Sequence, residues 1–349
     1  MILKKRLTLG VAILLLTLLA GCAGGPVLVE NAVPDGASAT PLVIYSGRNE
    51  NLVGPLIDQY RQATGQDVQV RYGDTAEMAS TILEEGANSP ADVFYGQDAG
   101  ALGALAGAGR LETLPDDILN RVDARFRSDT GQWVGSSGRA RVLVYNTNEV
   151  DPDGLPADIW GLTEEQWRGK IGWAPTNGSF QAFVTALRRI EGEDRAREWL
   201  TAMIANDVKV YPNNDSIVAA VGSGEILAGL VNHYYLLQFK AEKGQDFPAQ
   251  NYFFPSGGPG NLINVAGAGV INTSENKAAA EQFVAFLLSD AAQSYFASTT
   301  DEYPLAGTDI PLNPAVRPLS EINAPGLDLS NLDDLQGTLM LLQEVGALN

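Results

Sequence analysis

The 349-residue chain has one cysteine, one histidine and a formal net charge of −19. One Cys rules out an internal disulfide, one Cys with one His cannot build a Cys/His zinc site, and the acidic balance repels nucleic acid and anionic lipid. Hydrophobic residues at 45% with only 19% charged describe a globular chain, not a disordered one.

In chain order, "MILKKR" is a basic start and "LTLGVAILLLTLLA" an apolar run too short for an ordinary membrane span. It ends in Leu19-Ala20-Gly21-Cys22, which resembles the lipobox of bacterial lipoproteins. That resemblance implies removal of residues 1–21, lipidation of Cys22, export, and attachment by the lipid alone. Loss of Lys4, Lys5 and Arg6 with the leader takes the charge to about −22. Residues 22–40, rich in Gly, Pro and Ala, read as a flexible tether.

The fold is expected to begin at the strand "PLVIYSG". A helix follows in "NLVGPLIDQYRQATG", with Leu52, Val53, Leu56, Ile57 and Tyr60 on one face and Gly65 as its stop. "DVQVRYG", "MASTILEEGAN" and "ADVFYGQ" continue as strand, helix and strand, a βαβαβ run that calls for a parallel sheet between helices. After the strand "ARVLVYN" a second α/β series starts: "KIGWAP", "SFQAFVTALRRIEG", "DVKVYP", and then helix, short strand and helix through "SIVAAVGSGEILAGLVNHYYLLQF". "NLINVAGAGVINTS" returns as a strand and "NKAAAEQFVAFLLSDAAQSYFAST" reads as one long amphipathic helix. The expected architecture is α/β: a two-lobed clamp, each lobe a mixed sheet with flanking helices, joined by two crossing strands as a hinge. Residues 41–138 plus 266–310 are assigned to the N-terminal lobe, and 139–265 plus 311–349 to the C-terminal lobe.

Open α/β sheets bind ligands beyond the carboxyl ends of their strands. Such ends occur at Ser46–Glu50, Tyr95–Asp98, Thr176–Ser179, Asn213–Asp215 and the stretch "VNHYY". No nucleophile-elbow, Walker or dinucleotide glycine motif stands at any of them. Oxygen chemistry remains. Phenols, carboxylates and amides are hard ligands for a highly charged cation, and a trivalent ion bound directly can deprotonate a phenol whose ordinary pKa is about 10. Asn177, Gly178 and Ser179 ahead of an amphipathic helix offer an anion cradle or only a helix cap. Asn213 or Asn214 offers an amide, again with capping as the alternative, and Arg139 and Arg141 of "SSGRAR" are within reach. Read by residue type alone, Tyr234 and Tyr235 are packing residues or ligands, and the sequence leaves both open.

Several stretches, in order and at family spacing, resemble periplasmic ferric-ion binding proteins, the substrate-binding components of iron(III) ABC importers. They are "YSGRNE", "SPADVFYGQ", "SGRARVLVYNT", "IGWAPTNGSF", "SGEILAGLVNHYYLLQF", "NKAAAEQFVAFL" and "EYPL". The resemblance implies Fe³⁺ ligation by Tyr234 and Tyr235, and a synergistic phosphate or carbonate on Asn177, Gly178 and Ser179 with Asn214 and Asn232 helping. It implies Arg139 as the arginine that carbonate-using relatives employ. Where some relatives place His and Glu ligands this chain has Asn49 and Gln97, and tyrosines of others are matched by Phe180 and Glu50. Glu50, Gln97 and Asp98 are therefore the expected further metal ligands. The implied protein is a monomeric, lipid-anchored receptor, on the outer face of the cytoplasmic membrane or in the periplasm, that delivers iron to an ABC permease and catalyses nothing. For the paired phenols to share one ion, the chain is expected to break from strand to helix at His233–Tyr235. The rival readings are the same clamp around a small organic anion or cation, with the tyrosines stacking, and a carboxylate enzyme using Asp98 and Glu50.

Overall fold

The computed structural model describes residues 40–307 and 309–348. The leader, Cys22 and all but the last residue of the expected tether lie outside them. The chain enters as β1 (Leu42–Ser46), crosses over through α1 (Glu50–Thr64) to β2 (Val68–Tyr72), and returns through α2 (Thr75–Glu85) to β3 (Val93–Gly96). Helix α1 forms as its pattern demands. Asn49 Oδ1 accepts from the Asn51 N–H, Val53, Leu56, Ile57 and Tyr60 are buried, and Gly65 at φ 71° closes the last turn. β2, β1 and β3 run parallel. Helices α3 (Ala99–Gly107) and α4 (Asp116–Leu119) follow.

β4 (Val134–Asn146) is the spine of the molecule. All 13 of its residues are buried. The sequence reading begins this strand only at Ala140, because "GSSGR" has neither bulk nor alternation to mark it. Up to Ala140, β4 pairs antiparallel with β9 (Ile263–Val270), and from Arg141 onward with β7 (Ala228–Asn232). β9 also closes on β3. On the far side β7 lies parallel to β5 (Ile171–Trp173), and β5 parallel to β6 (Lys209–Val210). The order is thus β2-β1-β3-β9-β4-β7-β5-β6. β8 (Ala249–Tyr252) pairs with β4 from Leu143 to Asn146, and β10 (Tyr303–Pro304) pairs with it at Ser137 and Gly138.

The second half carries α5 (Gly178–Glu191), α6 (Glu193–Ala205), α7 (Asn214–Ser223) and α8 (His233–Lys243). A separate aromatic core forms there, with Trp173 edge-on to Phe180 at 5.3 Å and Phe183 edge-on to Trp199 at 5.4 Å. The expected long helix after β9 is two, α9 (Lys277–Leu287) and α10 (Asp290–Thr299). Ser289 divides them, because its hydroxyl accepts from the Ala292 N–H and starts a new helix. The tail ends in α11 (Leu335–Glu344), which the sequence reading leaves unassigned. Among the described residues no helix is long and apolar enough to cross a membrane.

Candidate functional site

β7 ends at Asn232 and α8 begins at His233 with no connecting residue. The break therefore falls at the start of the expected window, and both tyrosines occupy the first helical turn. Neither the strand rule nor the long-helix rule sets their directions, and their ring centroids lie 4.5 Å apart at 33°. Tyr235 lines a cleft of about 370 Å³, while Tyr234 is 1% exposed and lies just behind it. Gln97 Nε2 and Asn232 Nδ2 each point at the Tyr234 hydroxyl from 3.5 Å. Burial, then the neighbouring Tyr234, push the Tyr235 phenol well above its ordinary value. Without an added positive charge it stays protonated.

His233 holds this junction in place. Its Nδ1 accepts from the Ala140 N–H at 3.2 Å, and Nε2, 2.8 Å from the Asp301 carbonyl, then carries the proton. The ring stacks on Tyr303 at 4.7 Å. Burial drives it down to about 4, so the imidazole is neutral and both nitrogens are committed to main chain. It is not placed to act as a base in the cleft.

The opposite wall comes from the β1, β2 and β3 ends: Gly47, Asn49, Thr75, Gln97 and Asp98. Thr75, which sequence reasoning missed, donates to the Gly47 carbonyl and accepts from the Gln97 N–H. Gly47 is required there, since a Cβ would come 2.3 Å from Thr75 Oγ1. Asp98 caps α3 through Oδ1, and its Oδ2 faces Gly178 across the cleft. Burial raises its pKa, partly offset by Arg139. Glu50 sits exposed in the first turn of α1 and is not among the cleft-lining residues. Asn49 lines the cleft with its carbonyl oxygen spent on capping α1. Phe180 is fully buried in the aromatic core.

The expected anion loop, Thr176 to Ser179, forms the facing edge. Here Asn177, not Ser179, is the cap: its Oδ1 takes the Ser179 N–H at 3.0 Å, the Ser179 hydroxyl at 2.5 Å and Asn214 Nδ2 at 3.3 Å. Asn213 caps α7 through Ser216. Asn214 is turned inward with its Oδ1 buried and unpartnered. The loop's donors are thus largely side chains. Arg141 Nη1 reaches Ser179 Oγ at 3.3 Å, and its guanidinium lies 5.5 Å from the ring centres of Phe180 and Phe183.

Arg139, two residues back on the same face of β4, is 1% exposed, and none of its three guanidinium nitrogens has a partner among the described residues. Burial weakens this cation, with Tyr234, Asp98 and Glu302 the nearby groups that favour it. A desolvated guanidinium with five idle donors calls for an anion. Among the described residues no three His, Cys, Asp or Glu side chains gather into a metal cluster, so a metal in this cleft depends on the phenols.

A cleft between the strand ends of the two halves, with carboxylate, amide and phenol groups on its walls, has the form of a solute-binding clamp. The chain belongs to the bacterial extracellular solute-binding protein family, whose model matches residues 55–322. Over 325 residues it is 34% identical to the major ferric iron-binding protein of Neisseria meningitidis serogroup A, across 88% of this chain and 95% of that one. It is 29% identical over 308 residues to the Fe(3+)-binding periplasmic protein of Serratia marcescens, across 88% and 90% of the two chains. Iron-bound HitA from Pseudomonas aeruginosa superposes with a TM-score of 0.83 at 34% identity, covering 88% of this chain and 99% of that one. The protein is a two-lobed binding protein and not an enzyme.

Proposed function

We propose that the protein captures Fe³⁺ between its lobes, with Tyr234 and Tyr235 as paired phenolate ligands, and delivers it to an ABC permease. The observation that carries this reading is the pair of phenols 4.5 Å apart in the first turn of α8, beside the cationic Arg139 and Arg141. A trivalent ion supplies the charge that deprotonates them, and the two guanidiniums favour the phenolates once formed. Gln97 and Asp98, which line the cleft, complete the ligand set with water. Glu50 joins only if α1 moves inward. A synergistic phosphate or carbonate balances the remaining charge on Ser179, Asn214 and Arg139, with Asn177, Gly178 and Asn232 shaping its seat.

The lobes are assigned as residues 41–138 plus 266–310 and 139–265 plus 311–349. Export, lipid anchoring through Cys22 and a monomeric state belong to the same reading. Addition of ferric salt to the purified protein is expected to produce a visible phenolate-to-iron absorption band. A folded wild-type protein that shows no band and retains no iron on elemental analysis sinks the metal assignment.

A second reading rests on the size of the cleft. About 370 Å³ exceeds what a bare ion and a phosphate fill, and suits a small organic anion or cation stacked on the tyrosines. Calorimetry with ferric citrate against iron-free organic solutes separates the two.

A further inference from the structure

The tail crosses from one lobe's helix to the other's beside the cleft. A 3-10 turn, Leu329–Leu332, lies on α3 so closely that a Cβ on Gly100 would stand 2.6 Å from the Leu332 carbonyl oxygen, and one on Gly103 would stand 3.2 Å from Asp333 Cβ. The next residues are lashed to α5. Arg188 Nη2 pairs with Asp334 Oδ2 at 2.8 Å and Nη1 bonds Thr338 Oγ1 at 2.9 Å. Arg189 bonds the Asn331 carbonyl and Asp333 Oδ1, and the buried hydroxyls of Thr185 and Thr338 meet at 2.7 Å. Leu332, Leu335 and Leu339 form part of the cleft wall.

Helices α3 and α5 are those whose first turns, at Asp98 and Asn177–Ser179, face each other across the site. The tail joins them about one turn further along on α3 and two to three turns along on α5. The two anchorages differ in kind. Toward α5 there are ion pairs, a buried hydroxyl pair, and Leu341 and Leu342 sunk into the aromatic core. Toward α3 the contact is mainly the packing of Leu329, Leu332 and main chain on a glycine-notched face. Separation of the lobes breaks the weaker of these.

The geometry points to a releasable strap: residues 329–334 stay with α5 and lift off α3 when the cleft opens. While seated, they bias the ligand-free protein toward closure by keeping the apolar face of α3 covered. The glycines are what allow the seat, since any side chain at position 100 or 103 would meet the strap.

The test is a reversible staple. In Gly103→Cys with Asp333→Cys the two Cβ atoms lie a few tenths of an ångström inside disulfide range, a shift that the 3-10 turn can absorb. The full chain is compared oxidised and reduced by small-angle X-ray scattering without ligand, with the staple confirmed by mass because Cys22 is the one other thiol. The oxidised form is expected to have the smaller radius of gyration, and the reduced form, whose added side chain at position 103 meets the strap, a radius at least as large as the wild type's. Equal radii overturn the strap, since the lobes would then open by pivoting on a tail that never lifts. Should the double variant not fold, Leu332→Ala serves: an increased ligand-free radius supports the strap, and an unchanged radius in a folded variant overturns it. These readouts need no bound ion, so failure of the iron reading leaves them standing.

Discussion

Arg48 and Glu302 form a bidentate ion pair, Nη1 to Oε1 at 3.0 Å and Nη2 to Oε2 at 2.7 Å, with neither side chain more than 1% exposed. Ser137 on β4 accepts a third bond from Arg48 at 3.2 Å, and Thr300 donates to Glu302 at 2.9 Å. The pair ties the loop after β1 to the segment before β10. Breaking one partner strands the other charge in the interior. Glu302→Gln is expected to cost about 3–5 kcal/mol in urea unfolding, and replacement of both residues by apolar ones of similar volume to cost clearly less. Burial pushes the Glu302 carboxyl up, but Arg48 outweighs it and holds the group below the ordinary carboxylate value. That contribution is present above about pH 4.5 and is lost as pH falls further.

Tyr234→Phe and Tyr235→Phe each remove one hydroxyl of the proposed ligand pair. Each single variant is expected to weaken the visible ferric band and lower iron affinity at least tenfold, and the double variant to lose the band entirely. Titration followed by absorption decides this, with circular dichroism to confirm folding.

Arg139→Met removes a buried cation that has no hydrogen-bond partner among the described residues. Because no hydrogen bond to a described residue is lost with it, and the relief of its own burial opposes the charge support withdrawn from Asp98 and Glu302, stability is expected to change little, while iron retention in the presence of phosphate or carbonate falls at least tenfold. A large loss of stability would show instead that the guanidinium is structurally paired.

His233 is neutral in the fold, with its pKa down at about 4 against an ordinary 6.5. The unfolded chain therefore binds a proton first, so stability present above pH 6.5 declines as pH falls toward 4 and levels below it. The loss is about 3 kcal/mol over that interval. His233→Gln, which cannot titrate, is expected to flatten that part of the thermal-melting profile against pH.

The βαβαβ opening and the amphipathic α1 were legible because both faces of a parallel sheet demand apolar runs and crossover helices with one apolar stripe. Four of the five strand-end loops line the cleft as expected, and Asn214 stands one layer behind. What escaped has local causes. "GSSGR" carries no strand signal, since close packing of small residues against β9 and β10 shapes it. The split at Ser289 is a cap hidden inside an unbroken apolar pattern. Glu50 reads as a ligand because it shares a loop with Asn49, yet one helical turn points it to solvent. The bond between Arg48 and Glu302 spans 254 positions and has no spacing to reveal it.

β4 changes partner between Ala140 and Arg141, so Arg139 and Arg141 straddle the line where one half of the sheet gives way to the other. On the proposed reading the walls part like doors while both guanidiniums stay on the threshold, so an arriving anion would meet its berth already built before either leaf closed over the metal.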